Sequence, residues 1–261
     1  GCPRADRGDD PMTRLVRAEW LKLLTTRVWI GLLVGACVLA GGFAALFTGL
    51  AGQQGGPAPI GTPMYEQLAL GAAGQAAILS LVLGIIGMTQ EYRHRTATPT
   101  FLATPHRGRV VIAKLIAYLV AAVPFALAAC AVAVLVVVVY AGARGAAPSL
   151  SGDNLEVLLG ATVSIVLYAV IGVGVGALFR NQVGAIVGSL VYLFIIESIV
   201  GGIPATAGVY KWLPGGAAAA LTAVNEGPDL LNQWQGGLLL LGYGLVAALL
   251  GTLLAVRRDV V

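Results

Sequence analysis

The chain alternates between long apolar stretches and short polar intervals. Six stretches are rich in small and aliphatic residues, and each comes close to or exceeds the about 20 residues that a helix needs to cross the bilayer core. Because lipid offers the backbone no hydrogen-bond partner, such stretches cross a membrane as helices. The pattern predicts an all-α integral membrane protein with spans at about Val28–Leu50, Leu68–Thr89, Val110–Tyr140, Leu155–Phe179, Val183–Gly201 and Gln235–Val256.

Two of these stretches have a further feature. The third is longer than one crossing requires and contains Pro124, so we expect it to tilt and to be loosened or kinked at the proline. The fourth and fifth are separated only by Arg180, Asn181 and Gln182, which predicts an antiparallel helical hairpin.

Composition supports a membrane domain. Hydrophobic residues make up 58% of the chain and charged residues 11%, whereas ordinary soluble domains carry about 25% charged residues. We expect one transmembrane domain over residues 12–261. Residues 1–11 are polar and precede Met12, so we expect them to be a tag or a disordered extension.

The basic residues indicate the orientation of the spans. Since Lys and Arg are retained on the cytoplasmic side, the richer set of intervals is predicted to be cytoplasmic, and so are both termini. The poorer set contains only Arg144 and Lys211. The net charge of +4 is therefore a topology signal, and no nucleic-acid partner is expected. The richer set is Arg14, Arg17, Lys22, Arg27, Arg93, Arg95, Arg107, Arg109, Lys114, Arg180, Arg257 and Arg258.

The segment Met12–Arg27 before the first span is moderately amphipathic. It predicts a helix lying on the membrane interface with its basic residues at the headgroups; the alternative is a simple continuation of the first span into the cytosol. Glu19 and Lys22 fall on the polar side of this helix, and the apolar side holds Val16, Trp20, Leu21, Leu23 and Leu24.

The polar interval Gln90–Arg109 combines charges with an apolar pair, Phe101-Leu102. This combination favours docking into a groove of a cytosolic partner, although the apolar pair could instead rest on the bilayer. The interval Gly202–Trp234 has Trp and Tyr side chains around a Pro-Gly-Gly break. It predicts short helices on the extracellular surface between spans five and six.

Glycines recur at helical spacing in several spans, which permits close helix packing in lipid. They serve either packing within the chain or a subunit interface. They are Gly31 and Gly35, then Gly172, Gly174 and Gly176, then Gly184 and Gly188.

One acidic residue, Glu197, lies inside the fifth span, about 21 Å from its start by the helical rise. Ionisable residues at such depth are costly and usually face protein or a water-filled interior. Two interpretations stay open for Glu197: a structural hydrogen bond to the following interval, or a place in a substrate path.

Motifs for catalysis are missing. The sequence has no G-x-x-x-x-G-K-[ST] phosphate loop, no H-E-x-x-H and no G-x-S-x-G, so neither P-loop ATP hydrolysis nor these hydrolase mechanisms are available. His94 and His106 lie in a basic loop. We expect no catalytic residues, no metal site and no cofactor in this chain.

Several segments together resemble ABC transporter permeases of the type-2 exporter class, in their actinobacterial form. They are the basic amphipathic helix, the loop sequence E-Y-R-H-R-T-A-T-P-T-F-L-A-T-P-H-R-G-R, the turn L-F-R-N-Q-V-G-A, the sequence L-P-G-G-A and the final R-R-D. The likeness extends over nearly the whole chain from Met12 onward.

The resemblance implies a plasma-membrane subunit of a bacterial exporter for a drug, lipid or peptide. Two copies of a separate cytosolic ATPase would bind ATP and Mg²⁺, and a second permease copy would complete the transmembrane unit. In that family the loop after the second span forms the coupling helix that meets the ATPase. By position this implies coupling roles for Glu91, Tyr92 and Arg93, and for Arg17, Glu19 and Lys22 on the preceding helix.

The main alternative is a self-sufficient secondary carrier driven by an ion gradient. Such carriers have repeats and ionisable residues near the midplane, and here no repeat is evident and Glu197 stands alone. A third possibility is a membrane-embedded enzyme or a non-transporting sensor. The enzyme is disfavoured, because the spans contain no cluster of His, Asp and Glu.

Overall fold

The computed structural model describes residues 11–93, 107–179, 181–223 and 230–257, and these are helical except for short connections. A helix at Pro11–Thr25 precedes the first span, TM1, at Val28–Leu50. TM2 comprises Pro63–Gly71, a 3₁₀ stretch Ala72–Ala76 and Ala77–Arg93. TM3 is Arg107–Ala143 and TM4 is Asp153–Phe179. TM5 comprises Gln182–Val191, a π-helical stretch Tyr192–Ile196 and Glu197–Gly202, and TM6 is Gln233–Arg257.

All six spans are long and apolar enough to cross a membrane, which confirms the predicted all-α architecture. TM3 is one continuous helix through Pro124. The helix Pro11–Thr25 is joined to the start of TM3 and to the end of TM2, and the end of TM6 lies beside the start of TM3. We call this end of the bundle the basic end. The other end of the bundle is called the far end.

TM2 begins earlier than the apolar pattern predicts, at Pro63 instead of Leu68. The Thr62 side chain caps the helix by accepting a hydrogen bond from the Tyr65 amide, and Pro63 follows at the first helical position. Both features favour a helix start. The first turn carries Glu66, whose carboxylate accepts a hydrogen bond from Asn154 of TM4. Because Glu66 is polar, the apolar pattern of the sequence begins later than the helix itself.

TM4 is the centre of the bundle and packs against TM2, TM3 and TM6. Glycines allow the close approach: a Cβ added at Gly84 of TM2 would collide with the carbonyl oxygen of Ala169, and one at Gly172 would collide with that of Leu81. A Cβ at Gly174 would lie 2.7 Å from the carbonyl oxygen of Gly244 in TM6. The glycines of TM4 therefore serve packing within the chain.

The other glycines singled out in the sequence differ in their surroundings. A Cβ at Gly35 would lie 2.7 Å from Leu79 of TM2, so this glycine also serves internal packing. Gly184 lies beside Asn181, the residue that caps its own helix. Gly31 and Gly188 have open space around them. These two and Gly184, which is also exposed, are the predicted positions on faces that are free to meet another molecule.

TM1 and TM5 are the peripheral spans. In TM5 only 11% of the most apolar stretch is buried, compared with 67% in TM4. Large apolar side chains such as Val34 and Val38 of TM1, and Val183 and Phe194 of TM5, are exposed. These two spans therefore offer apolar surface to lipid or to another membrane helix.

The segment between TM5 and TM6 forms the short helices that the sequence predicts: a 3₁₀ turn at Pro204–Thr206 and helices at Ala207–Tyr210 and Pro214–Thr222. The last of these packs on TM4 and TM6. The hydroxyl of Tyr243 in TM6 donates a hydrogen bond to the carbonyl of Trp212 at 2.6 Å. The segment is thus held against the far end of the bundle.

Candidate functional site

A cluster of four charged side chains joins three elements at the basic end; we call Glu19, Lys22, Glu91 and Lys114 the ionic cluster. Glu19 and Lys22 come from the helix Pro11–Thr25, Glu91 from the end of TM2 and Lys114 from the first turns of TM3. The nitrogen–oxygen distances are 2.7 Å for Lys22–Glu19, 2.8 Å for Lys22–Glu91, 2.6 Å for Lys114–Glu19 and 3.2 Å for Lys114–Glu91. Each cation contacts both carboxylates, so the charges alternate.

Most of this cluster is removed from solvent. Lys114 is fully buried, and Glu19 and Glu91 are 4% and 5% exposed, whereas the Lys22 side chain is 40% exposed. Buried charges are tolerated only when they are paired and hydrogen-bonded. Lys114 meets this condition, because its ammonium also donates to the carbonyl of Gly87 at 3.1 Å.

The charges of the cluster alter the titration of Lys22. Burial by itself lowers the pKa of Lys22, but the hydrogen bonds and charges of Glu19 and Glu91 outweigh burial and raise the pKa above its ordinary value of 10.5. The ammonium form is therefore the one that the folded chain stabilises.

The structure brings together three of the six residues predicted to couple to an ATPase: Glu19, Lys22 and Glu91. Arg17 lies apart from them and is exposed. Tyr92 and Arg93 are the last two residues of the TM2 helix, and their side chains lie outside the described part of the chain, as does the predicted docking pair Phe101-Leu102. Contact of any of these residues with an ATPase stays a prediction.

The helix Pro11–Thr25 is oriented differently from the amphipathic pattern. Glu19, assigned by the pattern to the polar side, is buried against the bundle, whereas Leu21 and Leu24 of the apolar side are 54% and 48% exposed. The reason is the pairing of Glu19 with Lys114, a partner 95 residues away. The placement of this helix at a membrane interface stays a prediction.

Sequence reasoning counted Lys114 only as part of the basic surplus and missed its place in the site. A usable signal exists: Lys114 is a lone cation within the apolar run of the third span. Cations in such positions usually pair with another charged group. The identity of that group could not be inferred, because Glu19 and Glu91 are distant in sequence.

A second buried charge, Glu197, lies in the far half of TM5 and is 3% exposed. Its Oε2 accepts a hydrogen bond from the Gly215 amide at 2.6 Å. This is the structural hydrogen bond to the following interval that we considered from the sequence. The phenol of Tyr192 also interacts with the carboxylate. Oε1 is buried and has no hydrogen-bond partner among the described residues.

Glu197 also lines a cavity of about 630 Å³ between TM2, TM4, TM5 and the short helices, which we call the Glu197 cavity. The 3₁₀ stretch of TM2 and the π-helical stretch of TM5 both contribute to its wall. Irregular backbone at membrane depth is tolerated where it lines a cavity, and π-helical turns are frequent at functional sites. The polar and aromatic lining residues include Gln75, Ser164, Tyr168, Phe194, Ser198, Tyr210 and Thr222.

Comparison with known proteins identifies the family. The family described as ABC-2 family transporter protein matches residues 15–196, which is more than half of the chain and includes all four residues of the ionic cluster. The match ends one residue before Glu197. The search among curated proteins gives no match.

The matched region contains the ionic cluster, the first four apolar spans and most of TM5. The chain therefore belongs to the ABC-2 transporter family and is the multi-pass membrane permease subunit of an ABC transporter.

Proposed function

We propose that this permease belongs to an ATP-driven exporter of the bacterial plasma membrane and moves a hydrophobic or amphipathic compound, such as a drug, lipid or peptide. Two copies of a separate cytosolic ATPase bind ATP with Mg²⁺ and supply the energy. A second permease copy completes the transmembrane unit, and both termini of the chain lie in the cytoplasm.

The ionic cluster is the observation that carries this proposal. It ties the helix Pro11–Thr25 to the end of TM2 and to the start of TM3. A displacement applied to any of these elements passes to the others, because separating them would leave buried charges unpaired. A rigid junction of this kind at the basic end supports transmission of a partner's movement into the bundle.

The burial of the predicted coupling residues suggests two different roles for them. Glu19 and Glu91 are buried and engaged inside the chain, so their proposed role is to position the contact surface. Arg17 is exposed on the same helix, and Tyr92 and Arg93 end the TM2 helix. These three are the proposed points of ATPase contact.

Purification of the permease with a candidate ABC ATPase tests this assignment. Arg17→Glu should weaken complex formation and reduce ATP hydrolysis stimulated by the permease, because it reverses a charge at the proposed contact. Lys211→Glu, the same charge change at the far end, should alter neither. Equal effects of the two variants, or no effect of Arg17→Glu, would remove Arg17 from the contact.

Direction and energy source are tested in membrane vesicles that contain the complete transporter. With the ATPase side exposed, a lipophilic dye should accumulate inside the vesicles only when ATP and Mg²⁺ are supplied. Transport by the permease alone under an ion gradient would instead establish the secondary carrier.

The proposed second permease copy would cover the exposed apolar faces of TM1 and TM5. Single cysteines test this contact in native membranes, with Cys37 and Cys130 and Cys2 replaced. Gly31→Cys should form a cross-linked dimer, whereas Gly35→Cys should not, because Gly35 faces Leu79 of its own chain. A monomer in both cases counts against a dimer contact through this face.

A further inference from the structure

The Glu197 cavity combines a carboxyl group that has no ion-pair partner among the described residues with a volume large enough for an organic molecule. Ligand pockets typically enclose about 300–1,000 Å³ and are mostly apolar with a few polar groups, and this cavity of about 630 Å³ lies in that range. Among the described residues that line it, Glu197 is the one acidic group and none is basic.

The carboxylate of Glu197 is held in place by the chain, but no cation of the described residues pairs with it. Oε2 is fixed by the Gly215 amide, and Oε1 is buried without a hydrogen-bond partner among the described residues. Glu197 takes part in none of the ion pairs of the described chain. An acceptor-only group in this state can be satisfied by a cation or by a hydrogen-bond donor that enters the cavity.

The close fit of Gly215 adds a second constraint. A Cβ at Gly215 would collide with Oε2 of Glu197, so the glycine permits the carboxylate to reach the amide. The ring of Tyr210 packs across Gly201 of TM5, and Tyr168 lies on TM4. Aromatic faces attract cations, with the strongest effect when water is excluded.

We infer that the Glu197 cavity is a binding site for a lipophilic organic cation, whose positive charge pairs with Oε1 and whose apolar body contacts the aromatic and small residues of the wall. The inference deepens the proposed export function, on which it rests for its physiological meaning, by naming the charge and class of the transported compound. The binding itself needs neither ATP nor the ATPase.

Tetraphenylphosphonium is a suitable probe, and tetraphenylborate is an anion of nearly the same shape. Equilibrium binding of both ions is measured on the purified full chain. The expected result is saturable binding of tetraphenylphosphonium that is at least about tenfold weaker in Glu197→Gln, with no such dependence for tetraphenylborate. Glu156→Gln removes an exposed carboxylate of the same end and should leave the affinity unchanged.

A second measurement does not depend on the folding of a Glu197 variant. Ser198 lines the cavity and is exposed, so a Ser198→Cys thiol can be labelled with a maleimide. Tetraphenylphosphonium should slow this labelling several-fold, and tetraphenylborate should not. Labelling that is indifferent to the cation, or equally slowed by both ions, would overturn the inference.

Failure of this inference is distinguishable from failure of the proposed function. If the complete transporter hydrolyses ATP and exports another compound while tetraphenylphosphonium neither binds nor protects, only the cation site is refuted. If tetraphenylphosphonium binds as expected but no ABC ATPase associates with the chain, the export function falls and the site stands.

Discussion

The two ends of the bundle treat buried charge in opposite ways. At the basic end, Glu19 and Glu91 are nearly as buried as Glu197 at the far end. The first two carboxylates share two lysines, whereas Glu197 has one backbone amide and a free oxygen beside a cavity. The difference teaches that burial alone does not separate a structural charge from a binding group. What separates them is whether the partner comes from the chain itself.

The strongest way to break this comparison is to remove the fully buried cation. Lys114→Met leaves Glu19 and Glu91 without their shared internal partner, and breaking a buried pair costs about 3–5 kcal/mol. The variant should therefore lose much of its thermal stability in detergent.

Lys211→Met provides the matched control. Lys211 takes part in no ion pair of the described chain and is only partly buried, so its unfolding midpoint should stay close to that of the parent. If Lys114→Met is as stable as the parent, the cluster is not the junction described above.

An intermediate effect is expected at the far end. Gly215→Ala places a Cβ against Oε2 of Glu197, so the carboxylate must move away from the amide, and such overpacking typically costs about 1–3 kcal/mol. Gly208→Ala is the control, since open space surrounds Gly208. Thermal unfolding of both variants measures this effect. Equal unfolding midpoints would show that the close contact between Gly215 and Glu197 does not hold the carboxylate in place.

Features that depend on residues close together in the sequence could be predicted, and features that depend on distant residues could not. The six spans depend on local hydropathy and were predicted to within a few residues, apart from the start of TM2, where the Thr62 cap and Pro63 add a polar turn. The short helices before TM6 were also predictable, from the Trp and Tyr residues around the Pro-Gly-Gly break.

The partners of the charged residues were not predictable. Glu19, Glu91 and Lys114 meet only because three helices pack together, and nothing local in the chain encodes that meeting. The π-helical stretch Tyr192–Ile196 contains neither Pro nor Gly, so no local pattern of residues predicts it. The cavity beside Glu197 depends on this stretch and on the 3₁₀ stretch of TM2, and it was visible only in the fold.

The smallest expected effect concerns alkaline pH. The pKa of Lys22 is raised in the folded chain, so its contribution to stability is present in full below the unfolded value and is lost as pH rises through the folded value. The relevant window begins at 10.5. Lys22→Arg keeps its charge there, so the variant should lose less stability than the parent above this pH.

The effect at Lys22 is modest because the side chain is 40% exposed and screened by solvent. Unfolding midpoints of the parent and of Lys22→Arg across this pH range measure it directly. Parallel curves for the two proteins would show that the ammonium of Lys22 is not stabilised by the cluster.

One measurement tests the difference between the two ends most directly: thermal unfolding of the parent, Glu91→Gln and Glu197→Gln, each with and without tetraphenylphosphonium. A ligand that binds only the folded state raises its stability in proportion to occupancy. We predict that Glu91→Gln unfolds at a lower temperature but keeps the rise caused by tetraphenylphosphonium, whereas Glu197→Gln stays close to the parent and loses that rise. Destabilisation of both variants to the same extent, or an undiminished rise in Glu197→Gln, would contradict the account.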